Sequence, residues 1–159
     1  MPIFNKAKYL KRSIGSIQIQ TIKEIEIICV NDASEDNSLE ILNEMAKNDS
    51  KIKIINNEKN RGLLYSRAMG IINSHGEYLM NLDPDDEFKG KYSLEYLYKL
   101  AKKSKIDVIS FGHLIKSKFI STKSFKCIKF WKTQHQPNIF KLTNEKLDFL
   151  ITDKLSFSD

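Results

Sequence analysis

The chain has 159 residues, enough for one domain and the start of a second lobe, and its 41% hydrophobic and 10% aromatic content supports a packed core and excludes global disorder. The formal charge is +6, but 23 of the 26 cations are Lys, beside 21 Ile and 12 Asn, a skew typical of AT-rich coding. The charge is therefore no argument for a nucleic-acid partner.

Taken in chain order, residues 8–19 place Leu10, Ile14 and Ile17 at helical spacing. Ile25-Glu26-Ile27-Ile28-Cys29-Val30 is a β-branched run that reads as a buried strand, closed by the turn-formers Asn31-Asp32-Ala33-Ser34. Residues 37–47 follow as a helix with Leu39, Leu42, Met45 and Ala46 inward, and Asp36 or Ser34 available as its N-cap. Ile52-Lys53-Ile54-Ile55 is a short strand, and Gly62 opens a helix to about Asn73. Residues 77–82 form a strand leading into Asp83-Pro84-Asp85-Asp86; 92–103 are helical and 106–111 a strand. This strict alternation predicts an α/β domain with an open, mostly parallel sheet flanked by helices. All four strands, 25–30, 52–55, 77–82 and 106–111, are expected in that one sheet.

After Gly112 the rhythm degrades. Residues 113–142 carry Lys, Ser and scattered aromatics without assignable structure, and 143–152 look helical again. Phe125, Phe130 and Trp131 read as core residues rather than a stacking platform or lipid contact. Between 89 and 132 there are 12 Lys against only Glu95 and Asp107. A solvated lysine face is the plain reading, and peripheral contact with an anionic membrane the alternative.

Cys29 and Cys127 make neither a disulfide framework nor a zinc site, and His75, His113 and His135 lack ligand spacing. With no leader-like or membrane-spanning run in the sequence, a cytoplasmic setting is expected.

In open parallel sheets, ligands bind outside the strands' carboxyl ends. Two acidic clusters fall there: Asp32, and the group Asp83, Asp85 and Asp86. Neighbouring carboxylates repel, and a hard divalent cation, Mn²⁺ or Mg²⁺, relieves that repulsion. An ordinary acidic turn with Asp86 as helix cap remains the competing reading.

Five segments, in order, resemble the amino-terminal part of family 2 glycosyltransferases, which have the GT-A fold. Pro2-Ile3-Phe4-Asn5 is similar to the family's Pro-Val-Tyr-Asn. Val30-Asn31-Asp32-Ala33-Ser34-Glu35-Asp36-Asn37-Ser38 is similar to Val-Asp-Asp-Gly-Ser-Thr-Asp-Asn-Ser. Asn60-Arg61-Gly62-Leu63 with Arg67 resembles Asn-x-Gly followed by Ala-Arg-Asn. Gly76-Glu77-Tyr78-Leu79 and Leu82-Asp83-Pro84-Asp85-Asp86 resemble Gly-Glu-Tyr-Ile and Leu-Asp-Ser-Asp-Asp.

The resemblance implies an inverting, metal-dependent transfer of sugar from a nucleotide-diphosphate donor, most often UDP-linked, to a glycan or lipid hydroxyl, as in cell-surface polysaccharide synthesis. By the same resemblance Pro2, Phe4 and Asn5 would line the base and ribose pocket, and Asp32 would accept a hydrogen bond from the base. Arg67 would support the donor. Asp83 and Asp85 would hold ribose and metal, with Asp86 a substitute ligand. It places the nucleotide-sugar part in 1–112 and an incomplete acceptor side in 113–159.

There are departures. Ala33 replaces the usual Gly, which is uncomfortable at positive φ. Met69 stands where an amide is usual. Only Met1 precedes Pro2, so the first strand, central in the family, is expected to be largely missing. No Glu-Asp pair follows Asp107; the later acids are Glu145, Asp148, Asp153 and Asp159, and no general base is nominated. The reading is therefore of a chain cut short at both ends. The alternatives are a non-catalytic nucleotide-sugar-binding module, or a Mg²⁺-dependent phosphatase or nucleotidyltransferase. Against the phosphatase, Asp32 is followed by Ala33-Ser34, with no second Asp two residues on.

Overall fold

The computed structural model describes residues 1–105, together with the strand backbones at 108–111 and 128–132. The elements run β1 (Pro2–Ile3), α1 (Ala7–Gln18), β2 (Ile27–Asn31), α2 (Ser38–Asn48), β3 (Ile52–Asn56) and α3 (Leu63–Ile72). Then come β4 (Tyr78–Met80), α4 (Ser93–Ser104), β5 (Val108–Phe111) and β6 (Ile128–Lys132). The expected alternation of strand and helix holds through β5. The predicted helix at 143–152, and Cys127, His113 and His135, lie outside the described residues.

β1, β2 and β3 form a parallel sheet in that order, with Pro2 opposite Val30 and Ile27 opposite Ile52. β2 is fully buried because both its faces are covered. Alternation sends Ile27 and Cys29 to one face, where they join Leu10, Ile14 and Ile17 of α1 and Leu42 of α2 in the core. Val30 points to the other face, where α3 crosses; a Cβ on Gly70 would stand 3.7 Å from the Val30 Cγ2 atom. Burial pushes the Cys29 thiol up to about 11, so this cysteine is an inert core residue.

The single four-stranded parallel sheet expected from the sequence is not what forms. β4 and β5 instead pair antiparallel with β6, in the order β4-β6-β5. The strand between them comes from the 113–142 stretch that periodicity left unassigned. Pairing between strands distant in the chain leaves no local signal, whereas the 2.0 and 3.6 periods do. β1 is two residues long, in keeping with the short first strand expected, and it forms an edge of the parallel sheet rather than its middle.

β4 is linked to the parallel sheet partly through Glu26. Its carboxylate accepts from Lys53 Nζ at 2.8 Å, from the Gly76 N–H at 2.9 Å and from the His75 N–H. Burial pushes this carboxyl up, but Lys53 and the two backbone donors together hold it below the ordinary glutamate range. A depressed carboxyl contributes stability that is present above the unfolded-state pKa, about 4.3, and lost as pH falls through the folded one. Chemical denaturation between neutral and acid pH should therefore show a loss below about pH 4 that is shallower in Glu26→Gln. Equal acid slopes would remove Glu26 from the account.

Among the described residues no helix is long and apolar enough to cross a membrane.

Candidate functional site

The loops at the carboxyl ends of β1 and β2 are tied to each other. Asn5 Oδ1 accepts from the Glu35 N–H at 2.8 Å, while the Asn5 N–H donates to Ser34 Oγ at 3.1 Å. The N-cap of α2 is Asn37, not Asp36 or Ser34 as expected; Asp36, one position earlier, accepts from the Ser38 N–H with one oxygen and from the Ala7 N–H with the other, each at 3.0 Å. It thus fixes the starts of α1 and α2 together. Asn5 and Ala33 both sit at positive φ, 52° and 56°. Asn tolerates that region, but Ala33 does so at a cost of about 1 kcal/mol, the discomfort its substitution for glycine foretold.

Next to this braced corner lies a cleft of about 410 Å³, bordered by Pro2, Phe4, Lys6, Asp32, Asp83 and Asp85 among others. That volume is within the ordinary range for small-molecule sites. The two acidic clusters, 51 positions apart in sequence (83 − 32), meet at one rim, as the strand-end rule implies. Pro2 and Phe4 also border the cleft. Asn5 is engaged in the loop brace, Arg67 reaches the cleft through its bond to Asp83, and Asp86 belongs to the adjoining turn, its N–H donating to the Asp83 carbonyl at 3.0 Å.

Asp32 is 3% exposed, and its carboxylate is already held. Oδ1 accepts from Asn57 Nδ2 at 2.7 Å and from the Arg61 N–H at 2.8 Å; Oδ2 accepts from the Gly62 N–H at 2.7 Å. Gly62 has φ 87° and stands at the N-cap of α3, so Asp32 anchors that helix and complements its dipole. A carboxylate offers about four lone-pair sites, and three are used here, leaving one for a donor arriving in the cleft. This anchoring role was not foreseen. The Asn60-Arg61-Gly62 segment carried the only hint, a positive-φ glycine before a helix.

The acidic turn after β4 is surrounded by cations. Arg67 Nη2 donates to Asp83 Oδ1 at 2.7 Å, Lys6 Nζ to Asp85 Oδ2 at 2.9 Å, and Arg12 Nη2 to the Asp85 carbonyl at 2.7 Å. The Lys6 ammonium holds the Asp85 carboxyl below the usual carboxylate range, and Asp85 raises Lys6 in return. Arg67 Nε is buried and has no hydrogen-bond partner among the described residues. Lys6 and Arg12 were missed at the sequence level because a counter-cation can arrive from any element. Their only local trace is the need of Asp83, Asp85 and Asp86 for neutralisation.

Among the described residues no three metal-ligating side chains converge into a ready-made cage. Asp83 and Asp85 are two hard-oxygen donors at an open cleft. That set suits Mg²⁺ or Mn²⁺, which are commonly held by one or two carboxylates and completed by substrate phosphates.

Comparison with known proteins agrees with this architecture. The curated relatives include glycosyltransferase GlyG of Streptococcus pneumoniae, 36% identical over 109 residues, covering 69% of this chain and 36% of that protein. The cholesterol galactosyltransferase of Borreliella burgdorferi is 41% identical over 106 residues, covering 67% of this chain and 29% of its own length. The chain therefore spans about a third of these relatives. Among solved structures, S. aureus TarS 1–349 in complex with UDP-GlcNAc superposes with a TM-score of 0.63 at 27% identity, covering 67% of this chain and 31% of that one. The mannosyltransferase PcManGT from Pyrobaculum calidifontis, in complex with GDP-Man and Mn²⁺, gives 0.67 at 16% identity over 82% of this chain and 42% of its own, a likeness of fold. The profile described as Glycosyl transferase family 2 matches residues 1–155, and the chain belongs to that family.

Proposed function

We propose that this chain is the nucleotide-sugar-binding part of an inverting, metal-dependent glycosyltransferase that transfers sugar from a UDP-linked donor to a glycan or lipid hydroxyl. The observation that carries the reading is the single cleft that Asp32, Asp83 and Asp85 border together. The solved complexes of TarS with UDP-GlcNAc and of PcManGT with GDP-Man and Mn²⁺ support a donor of this class.

In this reading Asp32 offers its remaining lone pair to the base N–H, and Pro2 and Phe4 form the apolar wall beside it. Phe4 is 41% exposed, a large ring presented at the cleft rather than in the core. Asp83 and Asp85 hold a divalent cation, which neutralises the charge that builds on the departing diphosphate. Arg67 steadies Asp83 and, with its unpartnered Nε, adds positive potential near the leaving group. We assign the donor half to residues 1–112 and the beginning of the acceptor side to 113–159. Glu145, Asp148, Asp153 and Asp159 lie outside the described residues. The acceptor hydroxyl still needs a base within hydrogen-bond reach, and no residue is nominated for it. A cytoplasmic setting and peripheral contact with an anionic membrane through the lysines of 89–132 complete the proposal.

Calorimetric titration with UDP, with and without Mn²⁺, tests it. Mn²⁺ should strengthen UDP binding at least about tenfold, as expected where the metal bridges carboxylate to phosphate, and Asp85→Ala should remove that gain. Equal UDP affinity with and without metal would overturn the metal role.

A further inference from the structure

Asp83 and Asp85 are each paired with a cation, but the two pairs are built differently. Arg67 is carried by α3, its Nε is buried, and its planar guanidinium cannot lose its charge. Lys6 lies on the loop entering α1, and its pair with Asp85 is open to solvent, with side-chain exposures of 34% and 47%. An exposed Lys–carboxylate pair contributes little and opens readily. The backbone beneath it is fixed: the Lys6 N–H donates to Ser38 Oγ at 3.0 Å, next to the braced Asn5. A second resting place is also at hand, since the Tyr9 ring lies 5.5 Å from Lys6 Nζ.

We infer that Lys6 is an exchangeable counter-ion: in the free protein its ammonium occupies the cation position on Asp85, divalent metal displaces it, and the freed ammonium turns to the donor diphosphate. This inference rests on the functional reading above. The chemistry favours exchange at Asp85 over Asp83. A doubly charged hard cation outcompetes a single ammonium for a carboxylate oxygen, while the Arg67 pair keeps the other half of the turn in place. The released side chain stays at the cleft, because Lys6 borders it together with Pro84 and Asp85. A flexible point charge on a four-carbon stem is suited to follow a phosphate in this way.

The test uses the full chain in wild-type form and as Lys6→Ala, Lys6→Gln, Lys8→Ala and Asp85→Ala. Lys8→Ala removes the same charge from a neighbouring lysine whose ammonium packs on Tyr9 at 4.7 Å. Free Mn²⁺ is followed by electron paramagnetic resonance in the absence of nucleotide, and UDP binding by calorimetry at saturating Mn²⁺. Both Lys6 variants should bind Mn²⁺ about fivefold more tightly than wild type, the scale of releasing an exposed ion pair, and bind UDP about fivefold more weakly. Lys8→Ala should change neither by more than about twofold. Matching changes in Lys6→Ala and Lys8→Ala would reduce the effect to overall charge and overturn the inference. So would unchanged or weaker Mn²⁺ binding in the Lys6 variants while Asp85→Ala abolishes it, a result that leaves the functional reading standing. Undiminished Mn²⁺ and UDP binding in Asp85→Ala would remove the functional reading itself, and this inference with it. Thermal unfolding of the Lys6 variants should match wild type, since the side chain is partly solvated and its backbone contacts remain.

Discussion

Replacing Asp32 by alanine is expected to destabilise the protein by about 2–3 kcal/mol and to weaken UDP binding about 10- to 100-fold. The two effects have separate causes. In the free protein the carboxylate gathers the Asn57 side chain and the Arg61 and Gly62 N–H groups, and so ties the segment leading into α3 to the end of β2. Alanine leaves those donors facing a small cavity, and hydrogen bonds to a charged group are the more costly ones to lose. In the complex the missing acceptor deprives the base of its partner. Mn²⁺ affinity without nucleotide should stay within about threefold, because Asp85 is held through its carbonyl by Arg12 and shares no bond with Asp32. Asp32→Asn keeps the shape and one acceptor oxygen, so its stability should fall between wild type and alanine. Urea unfolding and calorimetry read the two effects independently. An alanine variant with the wild-type unfolding midpoint would show that residues 57–62 do not depend on this carboxylate.

The distinction between those roles also marks what the sequence could and could not disclose. The apolar periods located β2, β3 and α1 to α4 within about two residues, because each buries a face whose spacing is set by its own backbone geometry. The meeting of Asp32 with Asp83 was expected too, though from one shared parallel sheet; both border the cleft while β4 belongs to the second sheet. Other features depend on partners far along the chain. Lys6 sits 79 positions from Asp85, and Asn57 sits 25 from Asp32, so neither pairing has a spacing to detect. The insertion of β6 between β4 and β5 is of the same kind. Ala33 is an intermediate case: its departure from glycine flagged a strained backbone, and the φ of 56° bears that out.

A chain extended before Met1 by the four residues Ile-Val-Ile-Val is expected to melt about 5–10 °C higher than the chain without them, and the reason lies between the two sheets. β2 begins at Ile27, but β1 meets it only from Val30 onward. Beyond that point the Met1 amino group donates to the Ile28 carbonyl at 2.8 Å, and a groove of about 420 Å³ opens between β2 and β4. Its walls include Ile27, Ile28, Ile71, Leu79, Leu82 and Phe88. The ammonium is nearly buried in this apolar setting, and burial lowers its pKa. The Val30 and Asp32 N–H groups donate to Met1 and Ile3 carbonyls, so alternation turns the Ile28 N–H toward the same edge. An added strand segment would take up that donor, move the charged terminus toward water and fill the groove with β-branched side chains. Each such side chain, once buried, contributes about 1.5–3 kcal/mol against an ordering cost of about 1–2 kcal/mol per residue, so a net gain of a few kcal/mol is expected. The control is an extension of equal length with proline at alternate positions, which cannot complete the ladder. Both proteins must elute as monomers, because an exposed apolar tail would raise the melting point only by association. If the two extensions melt together, the groove is not a strand site.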